Sequence, residues 1–151
     1  LGELHDPNPI ATKGMPVNAD WKQWFLAYVM EKSFVGMWTE DVIAAARWLR
    51  TYESDTARHR IRVIGTAHAG PAVLHAAALE RELFTQVELR QTLDSWASVV
   101  RDRQGCGAAL LNTVHGALKV YDLPDLRRVV GSERLKVVDP RDPQNEPLAA
   151  R

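Results

Sequence analysis

Three side chains in this sequence have the types and settings that hydrolytic chemistry needs: His68, His115 and Ser95. Imidazole exchanges protons near neutral pH, and a hydroxyl beside a base can attack a carbonyl. His68 sits in the run Arg62-Val63-Ile64-Gly65-Thr66-Ala67-His68-Ala69-Gly70-Pro71. There a short β-branched stretch ends at a glycine, and small residues lead to a proline that opens an alanine-rich helix. A histidine at such a point could serve as a base or touch an anion, because helix N-termini favour negative charge. The backbone amides of Gly65, Thr66, Ala67, Ala69 and Gly70 could stabilise an oxyanion, since amide donors need no particular side chain. His115 precedes Gly116 in a loop and is the second candidate base, with water or Ser95 as the attacker.

Each of these residues also has a plainer use. His68 could be an ordinary turn histidine, and a hydroxyl such as that of Ser95 commonly caps a helix or turn. His75 lies seven residues after His68 and reads as a hydrogen-bonded core histidine. Asp139, Asp142 and Glu146 could bind a hard cation through oxygen ligands, but their spacing is not that of an EF-hand loop, and a solvated acidic loop is the default. No histidine pairing resembles a zinc motif. No metal and no cofactor is expected.

The elements that must position these residues alternate. Residues 1–20 contain Pro7, Pro9, Pro16, Gly2 and Gly14 and read as an extended arm; 21–151 read as one domain. Trp24, Phe25, Tyr28 and Val29 fall on one helical face. Ser33 to Trp38, with Gly36, reads as a break, after which Thr39 caps a helix whose buried stripe is Val42, Ala45, Ala46 and Leu49. Strands are expected at Ile61–Ile64, Gln86–Leu89 and Leu135–Val138, with helices at Pro71–Arg81 and from Leu123 to a terminating Gly131. Leu93 to Asp102 is helical or irregular. Strands separated by helices imply parallel pairing, hence an α/β fold with a small three-layer sheet of about three strands.

Gly65-Thr66-Ala67-His68-Ala69 resembles the Gly-x-Ser-x-Gly nucleophile elbow of α/β-hydrolases, with Ala67 at the position of the serine. Phe34-Val35-Gly36-Met37-Trp38-Thr39-Glu40-Asp41-Val42, His75-Ala76-Ala77-Ala78-Leu79, Gly116 to Leu126 and Val137-Val138-Asp139-Pro140-Arg141-Asp142 extend the likeness to the acetyl xylan esterase and dienelactone hydrolase-like group. The resemblance covers most of the chain after Asp20. It implies the second half of a hydrolase that acts on carboxylic esters or lactones, with Asp142 as the orienting acid. It also implies that the serine and the C-terminal histidine of the triad have no counterpart. A methyl group cannot attack a carbonyl, so the alternative is a non-catalytic remnant that binds a ligand or a partner chain.

Composition narrows the partners. The chain has 151 residues, with 19 basic and 19 acidic side chains and no net charge, which argues against nucleic acid. The arginines at 58, 60 and 62, and at 127 and 128, read as solvated faces. Cys106 is the single cysteine, so no internal disulfide can form. No apolar run approaches the ~20 residues of a membrane span, and no signal peptide is visible. A cytoplasmic protein is the expectation. Five tryptophans are many for this length, and a three-strand sheet leaves edges unpaired. A homo-oligomer is therefore expected, its interface using the helix of Trp21, Trp24 and Tyr28.

Overall fold

A computed structural model describes residues 21–52, 59–102 and 111–148. The expected arm, Arg58, the Gly105–Gly107 loop with Cys106, and the side chain of Trp21 lie outside the described residues. The elements run α1 (Trp21–Val29), α2 (Phe34–Thr51), β1 (Ile61–Thr66), α3 (Ala69–Leu79), β2 (Phe84–Arg90), α4 (Trp96–Arg101), a 3₁₀ turn (Ala117–Lys119), α5 (Leu123–Val130) and β3 (Leu135–Val138). The three strands form one open sheet in the order β1-β2-β3, parallel throughout. All three expected strands are present, β1 and β2 each slightly longer than the apolar runs that signalled them.

Alternation of side chains gives the sheet two unlike faces. Val63, Val87, Leu89, Leu135 and Val137 pack into one cluster with Val73, Leu74, Ala76 and Ala77 of α3. The opposite face carries Arg62, Ile64, Gln86, Arg90 and Lys136, all exposed. Only Glu88 is buried there, covered by ion pairs to Arg62 and Arg90. Those hydrogen bonds, from Arg90 and then Arg62, hold its carboxyl below the usual range. Among the described residues the helices line one face only, so two layers are seen of the three expected.

The start of α2 differs from the sequence reading. Ser33, not Thr39, is the cap: its hydroxyl accepts from the Gly36 amide at 3.0 Å, and the helix begins at Phe34. Both residues are good cap formers, and the earlier one wins because Thr39 is needed inside. The Thr39 hydroxyl is buried, 2.6 Å from the Val35 carbonyl and 3.2 Å from that of Ala72, which pins α2 to α3. The buried stripe is Val35, Thr39 and Ala46, with Val42 partly buried beside them, while Ala45 and Leu49 are exposed.

Two glycines set the contact between α3 and the sheet. A Cβ on Gly65 would lie 3.0 Å from both the Gly70 Cα and the Val73 Cβ. One on Gly70 would lie 2.1 Å from Thr92 Cγ2. The helix start is thereby drawn against the ends of β1 and β2, which fixes the corner at residues 66–69.

Candidate functional site

Ala67 stands at that corner with φ of 49°, a conformation costly for any residue with a Cβ. Its amide donates to the Arg90 carbonyl at 2.9 Å and its carbonyl accepts from the Gly70 amide at 3.1 Å, so the turn is held from both sides. The sharp strand-to-helix elbow is therefore formed, with a methyl group at its apex.

The apex opens into a cavity of about 120 Å³ at the carboxyl ends of the strands, where open α/β sheets place their ligands. Its wall is made by Ala67 and His68 after β1, Gln91 and Leu93 after β2, Arg141, Asp142, Pro143 and Asn145 after β3, and Asn112. Sheet pairing continues past the strands to hold these loops. Gln91 donates to the Val138 carbonyl, Arg141 to that of Thr92 and Asp94 to that of Arg141, each at 2.9 Å. Five non-glycine residues among those described have positive φ, and three of them, Ala67, Gln91 and Asn145, line this cavity. Strain of this kind persists where the surroundings impose it, and it concentrates at functional sites.

The polar groups of the wall are unequally satisfied. Asp142 Oδ1 accepts from the amides of Gln144 and Glu146 at 2.9 and 2.8 Å, closing the 142–146 loop. Arg141 pairs with Asp139 and donates to the Asn145 carbonyl, yet its buried Nε has no partner. His68 Nδ1 lies 2.9 Å from Asn112 Nδ2. Asn112 is 4% exposed, and its Oδ1 has no partner. The Asn112 backbone is held by Trp96, whose indole donates to its carbonyl at 2.6 Å.

Of the residues singled out in the sequence, Ala67, His68 and Asp142 meet in this cavity. Gly65 and Gly70 are buried behind it as spacers, and Thr66 and Ala69 are exposed beside it. Ser95 and His115 are elsewhere. Ser95 is the N-cap of α4: its hydroxyl donates to Asp122 Oδ2 at 2.5 Å and accepts from the Ala97 amide at 3.0 Å. Asp122 also caps α5 in a capping box with Asp125 and accepts from the amides of Trp96 and Leu123, both at 2.7 Å. Burial opposes the charge of Asp122, but the hydrogen bonds from Ser95, Trp96, Leu123 and Ala97 outweigh it and lower its pKa. His115 is exposed, edge-on to Tyr28 at 4.5 Å, and lines a different groove with Val99 and Leu118. His75 is the core histidine expected: Nδ1 is 2.6 Å from the Pro71 carbonyl, Nε2 is 2.9 Å from the Tyr121 hydroxyl, and burial lowers its pKa.

Comparison with protein families, curated proteins and solved structures finds no match to this chain. The site is therefore read from its own geometry. Among the described residues no three of His, Cys, Asp and Glu cluster closely enough to hold a metal ion. No helix among them is long and apolar enough to cross a membrane. Asn112 and Arg141 carried no signal in the sequence, since both come from irregular segments and the His68 that Asn112 meets is 44 residues away.

Proposed function

We propose that the elbow cavity holds a small polar ligand without covalent chemistry, on a scaffold related to the α/β-hydrolases. The observation that carries this reading is the cavity wall itself. It combines an elbow apex, an imidazole and a carboxylate, with no hydroxyl or thiol among its described residues. The amides of His68 and Ala69 begin α3, where donors lack an intrahelical acceptor, and they supply polar contacts at the apex. His68 has one ring nitrogen, Nδ1, held 2.9 Å from the Asn112 side-chain amide, which fixes the ring at the mouth of the elbow.

Hydrolysis of a carboxylic ester or lactone by water is the second reading, favoured by His68 and Asp142 sharing one cavity. A homo-oligomer in the cytoplasm belongs to the same proposal. The support for the oligomer is α1, which leaves Phe25, Leu26 and Val29 exposed, with Met30 just beyond it. A clean monomer mass in light scattering at micromolar protein would remove that part.

Chemical-shift mapping with small esters, lactones and amides tests the main reading. Saturable perturbation of the amides of Ala67 and His68 and of the Asn112 side chain is expected. Perturbation confined to the His115 groove, or none anywhere, would overturn it.

A further inference from the structure

The outer face of the sheet lacks the cover that a parallel sheet ordinarily has. Crossover connections put helices on both faces of such sheets, which are found almost only with both sides covered. Here α3 packs on one face, and the other leaves Arg62, Ile64, Gln86, Arg90 and Lys136 exposed. The strand register orders these side chains. Glu88 on the central strand stands between Ile64 of β1 and Lys136 of β3. Arg90 Nε donates to Glu88 Oε1 at 2.8 Å, and Arg62 Nη2 donates to Glu88 Oε2. Three cations therefore surround one carboxylate, and the face keeps a positive surplus. Glu133, at the rim of the same face, is paired with Arg134 at 3.8 Å and does not offset it.

The Glu88 side chain is 6% exposed, while those of Arg62 and Arg90 are 55% and 48% exposed. Both Glu88 oxygens are committed to the two arginines. Each guanidinium has five N–H donors in a fixed fork, so most of them remain for another acceptor. Glu88 is thus a covered clamp that holds two solvent-facing guanidinium groups in place, which lowers the ordering cost of binding.

We propose that this face docks an acidic amphipathic helix of a partner protein as a third layer, its carboxylates on Arg62, Arg90 and Lys136 and an apolar side chain on Ile64. Charge and shape select that occupant. Neighbouring strands lie ~4.8 Å apart, so the three cations span about 10 Å across the sheet, the width of one helix. A second copy laid face to face on the same surface sets cations against cations. Ile64, 44% exposed in the row of Glu88 and Lys136, offers an apolar contact that a polyphosphate does not use. The surface is separate from the elbow cavity, and the inference does not depend on it.

The test titrates the full chain with four probes, followed by backbone amide resonances. They are a helical peptide of about 18 residues with leucines at helical spacing flanked by glutamates, its counterpart with lysines for glutamates, an oligothymidylate, and inorganic phosphate. Saturable shifts at Arg62, Ile64, Gln86, Arg90 and Lys136 are expected with the glutamate peptide, weakening as salt is raised. Lys136→Glu should weaken its binding roughly tenfold. If that variant does not fold, Lys136→Gln reads the same effect at roughly threefold. No shift on this face with the glutamate peptide, equal binding of the lysine peptide, or unchanged affinity in the Lys136 variants would overturn the proposal. Tighter binding of the oligothymidylate would replace the acidic helix with nucleic acid. Phosphate acting on the same residues at matching affinity would reduce the face to a simple anion site.

Discussion

The junction of α4 with α5 and the elbow cavity use similar side chains to opposite ends. At the junction, the Asp122 carboxylate takes four donors, from Ser95, Trp96, Ala97 and Leu123, and Asp125 completes the box. Each of these groups has a local task, and the product is two well-started helices. At the cavity, the corner residue has a positive φ, and two buried polar atoms in its wall, Asn112 Oδ1 and Arg141 Nε, have no partner. A serine beside an aspartate is thus architecture in one place, while an alanine beside a histidine marks the proposed site in the other. Closed hydrogen-bond networks stabilise; strained backbone and open polar atoms are the grounds on which binding is proposed.

That contrast is sharpest in what substitutions should do. Asp122→Ala removes caps from two helices at once and should lower stability by about 3 kcal/mol, at roughly 1–2 per cap. Urea denaturation checks this, and ligand affinity per folded molecule should not change. Gly70→Ala forces a methyl group into Thr92 and should lower stability by about 2 kcal/mol. Because Gly70 also anchors the elbow, this variant should lose ligand binding as well. A Gly70→Ala protein as stable as the parent would show that the corner is not held as described.

Acid should reveal His75 and the lowered carboxylates Asp122 and Glu88 in separate windows. His75 has a folded-state pKa below 6.5, so the unfolded chain takes up the proton first. Its contribution to stability is present above that pH and falls as pH drops below it. Asp122 has a folded-state pKa below 3.8, so its contribution is full above that value and is lost as pH falls through the folded pKa. Stability measured from pH 7 to 3 should therefore decline in two steps, and His75→Phe should remove the upper one. The smallest effect is expected of Ala67→Gly, which relieves the positive φ and should raise stability by about 0.5–1 kcal/mol. It should weaken ligand binding, since the corner is then less firmly held. A gain in stability together with tighter binding would break the link between strain and function.

The parts of this picture legible in the sequence are those written in local pattern. The three strands, the Asp122 start and Gly131 end of α5, and the corner at Ala67 all follow from apolar runs, caps and glycines within a few residues. Local pattern misplaces the start of α2 at Thr39, because the contact with Ala72 that draws Thr39 inward spans 33 residues and leaves no local trace. Ser95 shows the same limit. A hydroxyl just past a strand suits a nucleophile or a cap equally, and its partner Asp122 lies 27 positions on. Asn112 gave no signal at all, since it becomes part of the site only when the chain brings it against His68, 44 residues away.

The central claim is that the elbow binds and does not catalyse. The most direct measurement is hydrolysis of a panel of small esters and lactones by the parent protein, run beside His68→Ala, Asp142→Ala and Ala67→Ser. No turnover above buffer is expected for the parent. Ala67→Ser should not restore full activity, because the members of a catalytic triad act as a unit. Parental turnover that falls about 10²–10⁴-fold in His68→Ala, with loss also in Asp142→Ala, would contradict the account and establish the water-mediated hydrolase in its place.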